Sequence, residues 1–301
     1  MAPAFASLRR ARPLLGTFVE ISLAEMPTPA AEAAVEAAFA AVAKVHRLMS
    51  FHEPGSDLAR LNREAGERAV TVDPWTFEVL EAALDLNQRS AGAFDVTVAP
   101  VLERLGLLPR DERPPAPARR SSRESIELFS GRRVRFRDHG VRIDLGGIAK
   151  GFAVDRAVDA LRSHGVPGGL VNAGGDLAAF GPEPHAIHIR DPQDPGRLLC
   201  AIAVREEALA TSGARFDLVR SADAAGVAII DPAVRVPASA VRGATVRAGT
   251  CIYADALTKA LMVAPANAPA LLASLRASAL IVLANGDVRV TDDWPAVRRA
   301  A

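Results

Sequence analysis

The sequence predicts an α+β fold built mainly from antiparallel sheets flanked by helices. Three observations carry this. Strand-like and helix-like periods are mixed along the chain without the strict alternation that a parallel sheet demands. A hairpin signal appears in "LIVLANGDVRV", where Asn285-Gly286 supplies the two residues of a tight turn. The 301 residues, 50% of them hydrophobic, suffice for one large unit or two smaller ones sharing a core.

Taken in order, "LLGTFVEISLA" (14–24) alternates apolar and polar residues and reads as a strand. The next segment, "TPAAEAAVEAAFAAVAKVHRLMS", has a 3.6-residue apolar period and predicts a helix with its N-cap at Thr28. "GSDLARLNR" predicts a short helix opened by Ser56 or Asp57. In "VDPWTFEVLEAALDLNQRSAG", Asp73 caps a helix, Pro74 occupies its first turn and Gly92 ends it. "ERPPAPARRSSRES" is rich in Pro, Arg and Ser, so a loop or linker is expected at about 110–125.

"RRVRFRDHGVRIDL" predicts a hairpin turning at Asp138-His139-Gly140, with Asp144 at its strand end. A helix follows from about Ile148 to His164, ended by Gly165. Strands are predicted in "GLVNAGGDLAAFG", "HAIHIRD", "LLCAIAV", "GVAIID" and "VRGATVRA". Helices are predicted in "TCIYADALTKALMVA" and "APALLASLRAS".

Composition narrows the function. Lys plus Arg number 36 and Asp plus Glu 35, so nothing electrostatic points to nucleic acid or to an anionic membrane surface. Aromatics at 5% leave few stacking platforms for single strands. No stretch approaches 18 apolar residues without a charge, so no membrane insertion is expected. The two cysteines, Cys200 and Cys251, cannot form a metal cluster or a disulfide framework. With no secretory pattern at the N-terminus, the expectation is a cytoplasmic protein.

Four stretches carry candidate chemistry. In "RIDLGGIAKGFAVD" a carboxylate, two glycines and an ammonium group surround a helix start. Glycines let backbone approach a ligand, and the N–H groups of the helix start favour an anion such as phosphate. Lys150 can neutralise that anion, and Asp144 can hold a hydroxyl, a base N–H or a cation. The same stretch also reads as an ordinary turn with Lys150 in solvent and Asp144 as a cap. "NAGGDLAAFG" is a second Gly-Gly-Asp turn, and "GAFDVTVAP" places Asp95 in apolar surroundings, where it needs partners. "YADALTKAL" puts Asp255, Thr258 and Lys259 within one helical turn. Asp with Thr at such spacing suits a hard cation. His185 and His188 are three apart on a strand and face opposite sides.

Together "RPLLGTFVEI", "MSFHEPGSDLARLN", "GAFDVTVAPVLERLG", "IDLGGIAKGFAVD", "LVNAGGDLAAFG", "ALATSG", "IIDP" and "ADALTKAL" resemble the FAD:protein FMN transferase (ApbE-like) family, in the family's order and over most of the chain. The resemblance implies a single domain over residues 1–301, two-lobed, with FAD in a cleft between the lobes. It implies that FAD is cleaved with the help of Mg²⁺. FMN then passes to a Thr or Ser hydroxyl of an acceptor flavoprotein, and AMP leaves. Carried over residue by residue, it implies FAD contacts at Leu15, His52, Ala93, Phe94, Asp95, Asp144, Lys150 and Ile229. It implies metal contacts at the Gly147 carbonyl and Asp255, with Thr258 as a further candidate, and catalytic roles for Asp255 and Lys259.

The chain departs from the family pattern at three places. Ala228 precedes "IIDP" where the family has a histidine, so no proton can be exchanged there. "DPAVRVPAS" lacks the usual Thr-Gly. Lys259 stands four residues after Asp255, where the family has a metal-ligating Thr, and Thr258 is displaced by one. An ammonium there would repel a nearby cation, since two unit charges ~4 Å apart cost about 4 kcal/mol at intermediate dielectric. These departures leave three readings open: a flavin transferase, an FAD-binding protein without catalysis, and an FAD pyrophosphatase.

Overall fold

Two strands, not one, precede the first helix. β1 (Phe5–Leu14) and β2 (Thr17–Pro27) form a hairpin whose turn is Leu15 and Gly16, both at positive φ. The strand read from Leu14 onward is therefore cut at Gly16, where glycine accommodates a backbone that other residues resist. β1 escapes a pattern search because Arg9, Arg10 and Arg12 interrupt it. They pair instead with Glu20 of β2 and with Glu32 and Glu36 of the following helix. This computed structural model describes residues 5–111, 121–194, 196–213 and 229–295. Ala228 lies outside the described residues.

Helix α1 (Thr28–Met49) buries Ala31, Ala34, Val35, Ala38, Phe39, Val42, Val45 and Met49, one face at helical spacing. Its N-cap is Pro27, one residue before the Thr28 expected. α2 (Asp57–Glu64) opens on Ser56, whose hydroxyl accepts the Ala59 N–H at 2.9 Å. After β3 (Val70–Thr71), α3 (Pro74–Arg89) is capped by Asp73, which accepts the Trp75 N–H at 2.9 Å. The chain then passes through α4 (Ala99–Arg104).

Part of the expected linker is structured. Ser122–Ser125 forms the short helix α5, with a reciprocal capping box between Ser121 and Glu124. Residues 112–120 lie outside the described residues. β4 (Ile126–Phe129) and β5 (Arg133–Phe136) pair around Ser130 and Gly131, so the hairpin lies one strand earlier than the sequence suggests. Asp138 does nucleate a turn, accepting the Gly140 N–H at 2.8 Å. But residues 141–145 form no strand. Their backbone is held by Asn62, which bonds both the N–H and the C=O of Ile143, and by Val96, whose C=O takes the Asp144 N–H. Side-chain partners thus replace a β ladder.

The rest follows expectation closely: α6 (Ala149–Ser163), β6 (Gly169–Ala173), β7 (Asp176–Phe180), β8 (His185–Arg190), β9 (Leu198–Val204) and β10 (Glu207–Gly213). β11 (Ile230–Asp231), β12 (Val236–Pro237), β13 (Val241–Ala248), α7 (Cys251–Val263), α8 (Ala268–Ser274), β14 (Ser278–Leu283) and β15 (Val288–Val290) complete the chain. "GVAIID" keeps only the two strand residues of β11, its first three residues being outside the described ones.

The fold is α+β with antiparallel sheets, as predicted. Eight strands run in the order β1-β2-β6-β7-β10-β13-β14-β15, every pair antiparallel. Helices α1, α6 and α7 cover one face, and one cluster of buried residues from Leu8 to Ile281 joins them to the sheet. The β8-β9 hairpin covers part of the other face through Ile189, Cys200, Ile202 and Val204, against Leu177, Leu209, Leu280 and Trp294. A smaller three-stranded sheet, β3-β5-β4, stands beside α2, α3 and α5. Among the described residues no helix is long and apolar enough to cross a membrane.

Candidate active site

The site begins with two helices that hold each other's first turns. A helix start leaves backbone N–H groups without partners. Asp155 of α6 satisfies two of them in α7, accepting the Cys251 and Ile252 N–H groups at 2.8 and 2.9 Å. Asp255 of α7 returns the contact, accepting the Gly151 N–H of α6 at 2.9 Å. The helices come this close because residue 151 has no side chain. A Cβ built there would lie 2.2 Å from the Cys251 carbonyl oxygen.

Burial pushes the Asp155 carboxyl up to about 6, against the opposing pull of its two N–H donors. An unfolded-chain carboxyl titrates near 4, so between roughly pH 4 and 6 the unfolded chain releases a proton that the folded chain keeps. This group's contribution to stability therefore falls as pH rises through that window, by roughly 3 kcal/mol at its limit. Urea midpoints of wild type and Asp155→Asn across the window should show the wild type's advantage shrinking toward pH 6. A flat or widening advantage would refute the assignment.

Into the groove lined by these two helix starts come two carboxylates and two ammonium groups. Asp176 opens β7 directly after the Gly174-Gly175 turn, whose backbone is fixed by Asn172 accepting the Gly175 N–H at 2.9 Å. Lys150, in the first turn of α6, pairs with Asp176 and lies 3.7 Å from Asp255. Lys259 pairs with the Asp255 carboxylate and also donates to its backbone carbonyl at 3.1 Å. Both carboxylates are buried, whereas the Lys150 and Lys259 side chains are 31% and 16% exposed. Burial favours the neutral form of Lys150, but Asp176 and Asp255 outweigh it, and its pKa is raised. Burial and the neighbouring Asp255 push the Asp176 carboxyl up. At Asp255 burial acts upward too, but Lys150 and Lys259 prevail, and it stays ionised below the usual range.

Of the predicted residues, the structure brings Lys150, Asp255, Lys259, Gly147 and Phe94 together here. Gly147 lies between Phe94 and the stem of Lys259: a Cβ built there would be 3.5 Å from the Phe94 ring and 3.7 Å from Lys259 Cγ. Asp144 precedes it by one turn and accepts the Gly146 N–H at 3.1 Å. Leu15 sits in the β1-β2 turn, whose Thr17 abuts Gly174. Asp95 is buried and shapes the loop after Ala93 and Phe94. It accepts from Thr97 N–H and Oγ1, Ser122 N–H and Asn87 Nδ2, and burial raises its carboxyl against those four bonds. It also lines a cavity of about 310 Å³ with Gly92, Thr97, Glu124 and Arg235.

Other predicted residues stand further off. His52 is exposed on a second cavity of about 660 Å³, with Phe51, Asn62, Arg63 and Arg142. Ile229 is half-buried against the core, its carbonyl taking the Ala238 N–H. Thr258 is buried, and its hydroxyl meets the Asp255 carbonyl and Ser212 Oγ, each at 2.7 Å. Sequence reasoning missed Asp176 and Asp155 as site residues. The signal for Asp176 was present, an acid heading an apolar strand after two glycines.

The donor set does not fit a divalent cation. One Asp255 oxygen holds a backbone N–H, the other an ammonium, and the Thr258 hydroxyl is used inside the protein. Among the described residues no group of three or more His, Cys, Asp or Glu side chains is placed to hold a metal ion. The cluster instead balances its own charge, two carboxylates against two ammonium groups.

Comparison with known proteins gives the family and the fold. The ApbE family matches residues 15–282. An FAD:protein FMN transferase of Rhodobacter capsulatus is 31% identical over 300 residues, covering 93% of this chain and 54% of the relative. Another, from Treponema pallidum, is 28% identical over 285 residues, covering 84% of this chain and 78% of the relative. The crystal structure of the ApbE protein from Thermotoga maritima superposes with a TM-score of 0.80 at 29% identity, over 96% of this chain and 97% of that one.

Proposed function

The chain belongs to the ApbE family, and on that footing we propose that it is an FAD:protein FMN transferase. The observation that supports this most is the meeting of Lys150, Lys259 and the Gly146-Gly147 turn at the start of α6. A pyrophosphate needs cations and backbone N–H groups around it, and a Gly-rich turn gives it room to approach. In the reaction the acceptor hydroxyl oxygen attacks the flavin-side phosphorus. The bond from that phosphorus to the bridging oxygen breaks, AMP leaves with the bridging oxygen, and the hydroxyl proton passes to solvent. A phosphoester joins FMN to the acceptor.

Lys150 and Lys259 then bear on the charge that grows on the pyrophosphate oxygens, and Asp176 and Asp255 hold those ammonium groups in place. We assign Asp144, Leu15, Ala93, Phe94 and Asp95 to the bound dinucleotide, as the resemblance implies; of these, the Phe94 ring lies against Gly147. His52 and Ile229 belong to the same assignment at its margins. The resemblance implies Mg²⁺ with Gly147, Asp255 and Thr258 as its ligands; in this chain the Gly151 N–H and the Lys259 ammonium hold the Asp255 oxygens. We take residues 1–301 as one domain, which the shared core supports, and its setting as cytoplasmic. The acceptor is a flavoprotein offering a Thr or Ser hydroxyl.

The test is a chromatographic run of the protein with FAD and a peptide carrying an acceptor Thr. AMP together with flavinylated peptide is the expected result, and Lys150→Met should slow AMP release by about 10²–10³-fold. AMP with free FMN would replace the proposal by FAD hydrolysis. FAD bound but recovered intact would replace it by a binding protein.

A further inference from the structure

Lys259 is held on Asp255, a residue that the family resemblance names as a metal contact. Its stem runs past Gly147, and its Nζ ends on the Asp255 carboxylate and the Asp255 carbonyl. Its ammonium is thus held by Asp255 and its stem runs beside Gly147, the two residues that the resemblance names as metal contacts. Thr258, the only neighbouring hydroxyl on that turn, is turned away to Ser212. Without Lys259, the groove would hold two buried carboxylates against the single ammonium of Lys150. With it, the charges balance, and 16% of the Lys259 side chain remains exposed.

From this geometry we infer that Lys259 is a built-in cation that replaces Mg²⁺, so the chain binds the pyrophosphate of FAD without a divalent metal. The inference rests on the transferase reading and deepens it. Binding to Asp255 fixes the ammonium in one position, as a metal ligand set fixes an ion. A divalent cation would have to displace it from both Asp255 oxygen contacts and then remain beside two ammonium groups, which like-charge repulsion opposes. The chain would thus stay loaded with FAD where free Mg²⁺ is scarce.

The experiment measures FAD affinity by flavin fluorescence in EDTA and in millimolar Mg²⁺, for wild type and Lys259→Thr. Mn²⁺ binding to each protein alone is read by electron paramagnetic resonance. For wild type, affinity should differ by less than about twofold between the two buffers, and no Mn²⁺ should be held. Lys259→Thr should bind Mn²⁺ and lose about tenfold in FAD affinity in EDTA, recovered in Mg²⁺. A wild-type affinity that falls about tenfold in EDTA overturns the inference and leaves the transferase reading intact. Wild-type Mn²⁺ binding as tight as that of the variant overturns it in the same way. Failure to bind FAD in either buffer overturns both together. The wild-type arms need no variant, so they decide the matter even if Lys259→Thr folds poorly.

Discussion

Asp255→Ala is expected to lower stability by about 3–5 kcal/mol and to slow AMP release by at least about 10²-fold. The buried carboxylate has three tasks. It takes the Gly151 N–H, it pairs with Lys259, and it stands 3.7 Å from Lys150. Removing it leaves two ammonium groups facing one carboxylate in a mostly buried groove, together with an unpartnered N–H. An uncompensated buried charge costs far more than the intact pair contributes. Against a total of about 5–15 kcal/mol for a typical domain, the loss is large but leaves a folded protein. Adding Lys259→Met should then recover part of the loss, because the second change removes the charge stranded by the first. Urea midpoints for the two single variants and the double variant give the coupling. If the double variant is as unstable as the sum of the singles, the two side chains do not act as a unit.

That coupling could not be read from the sequence, although its parts could. Asp255 and Lys259 are four apart on a helix, so their meeting follows from spacing alone. Asp144, Gly147 and Lys150 follow from the turn into α6 in the same local way. What no local pattern shows is the register between α6 and α7. It is set by Asp155 and Asp255, whose N–H partners are 96 or more residues away. Asp176 has a local signal, an acid after two glycines, but its pairing with Lys150 of α6 is not local. The hairpin expected at Asp138-His139-Gly140 failed for a related reason. The turn chemistry was right, but Asn62, 81 residues away, took the backbone of Ile143 before a second strand could form. β1 was lost because arginines that bind Glu20, Glu32 and Glu36 look like loop residues until their partners are known. Each of these pairings depends on how the whole chain folds.

Gly151→Ala, a single added methyl group, should do nearly as much damage as the loss of Asp255. The new Cβ would sit 2.2 Å from the Cys251 carbonyl oxygen, 2.6 Å from its carbon and 2.7 Å from Asp255 Cβ. Two of those three atoms are backbone and cannot swing aside, so α6 and α7 must separate. Separation lengthens the contacts of Asp155 with Cys251 and Ile252 and of Asp255 with Gly151, which together tie the helix starts. A destabilisation of about 3 kcal/mol or more is expected, beyond the ordinary cost of overpacking a core. The higher helix propensity of alanine offsets about 1 kcal/mol at most. FAD affinity should fall as well, because the shift moves Lys259 away from Lys150. Gly147→Ala is the contrast. Its Cβ would find Phe94 at 3.5 Å, an ordinary van der Waals distance, and the fold should tolerate it. Equal urea midpoints for the two alanine variants would show that the closeness of α6 and α7 does not set the groove.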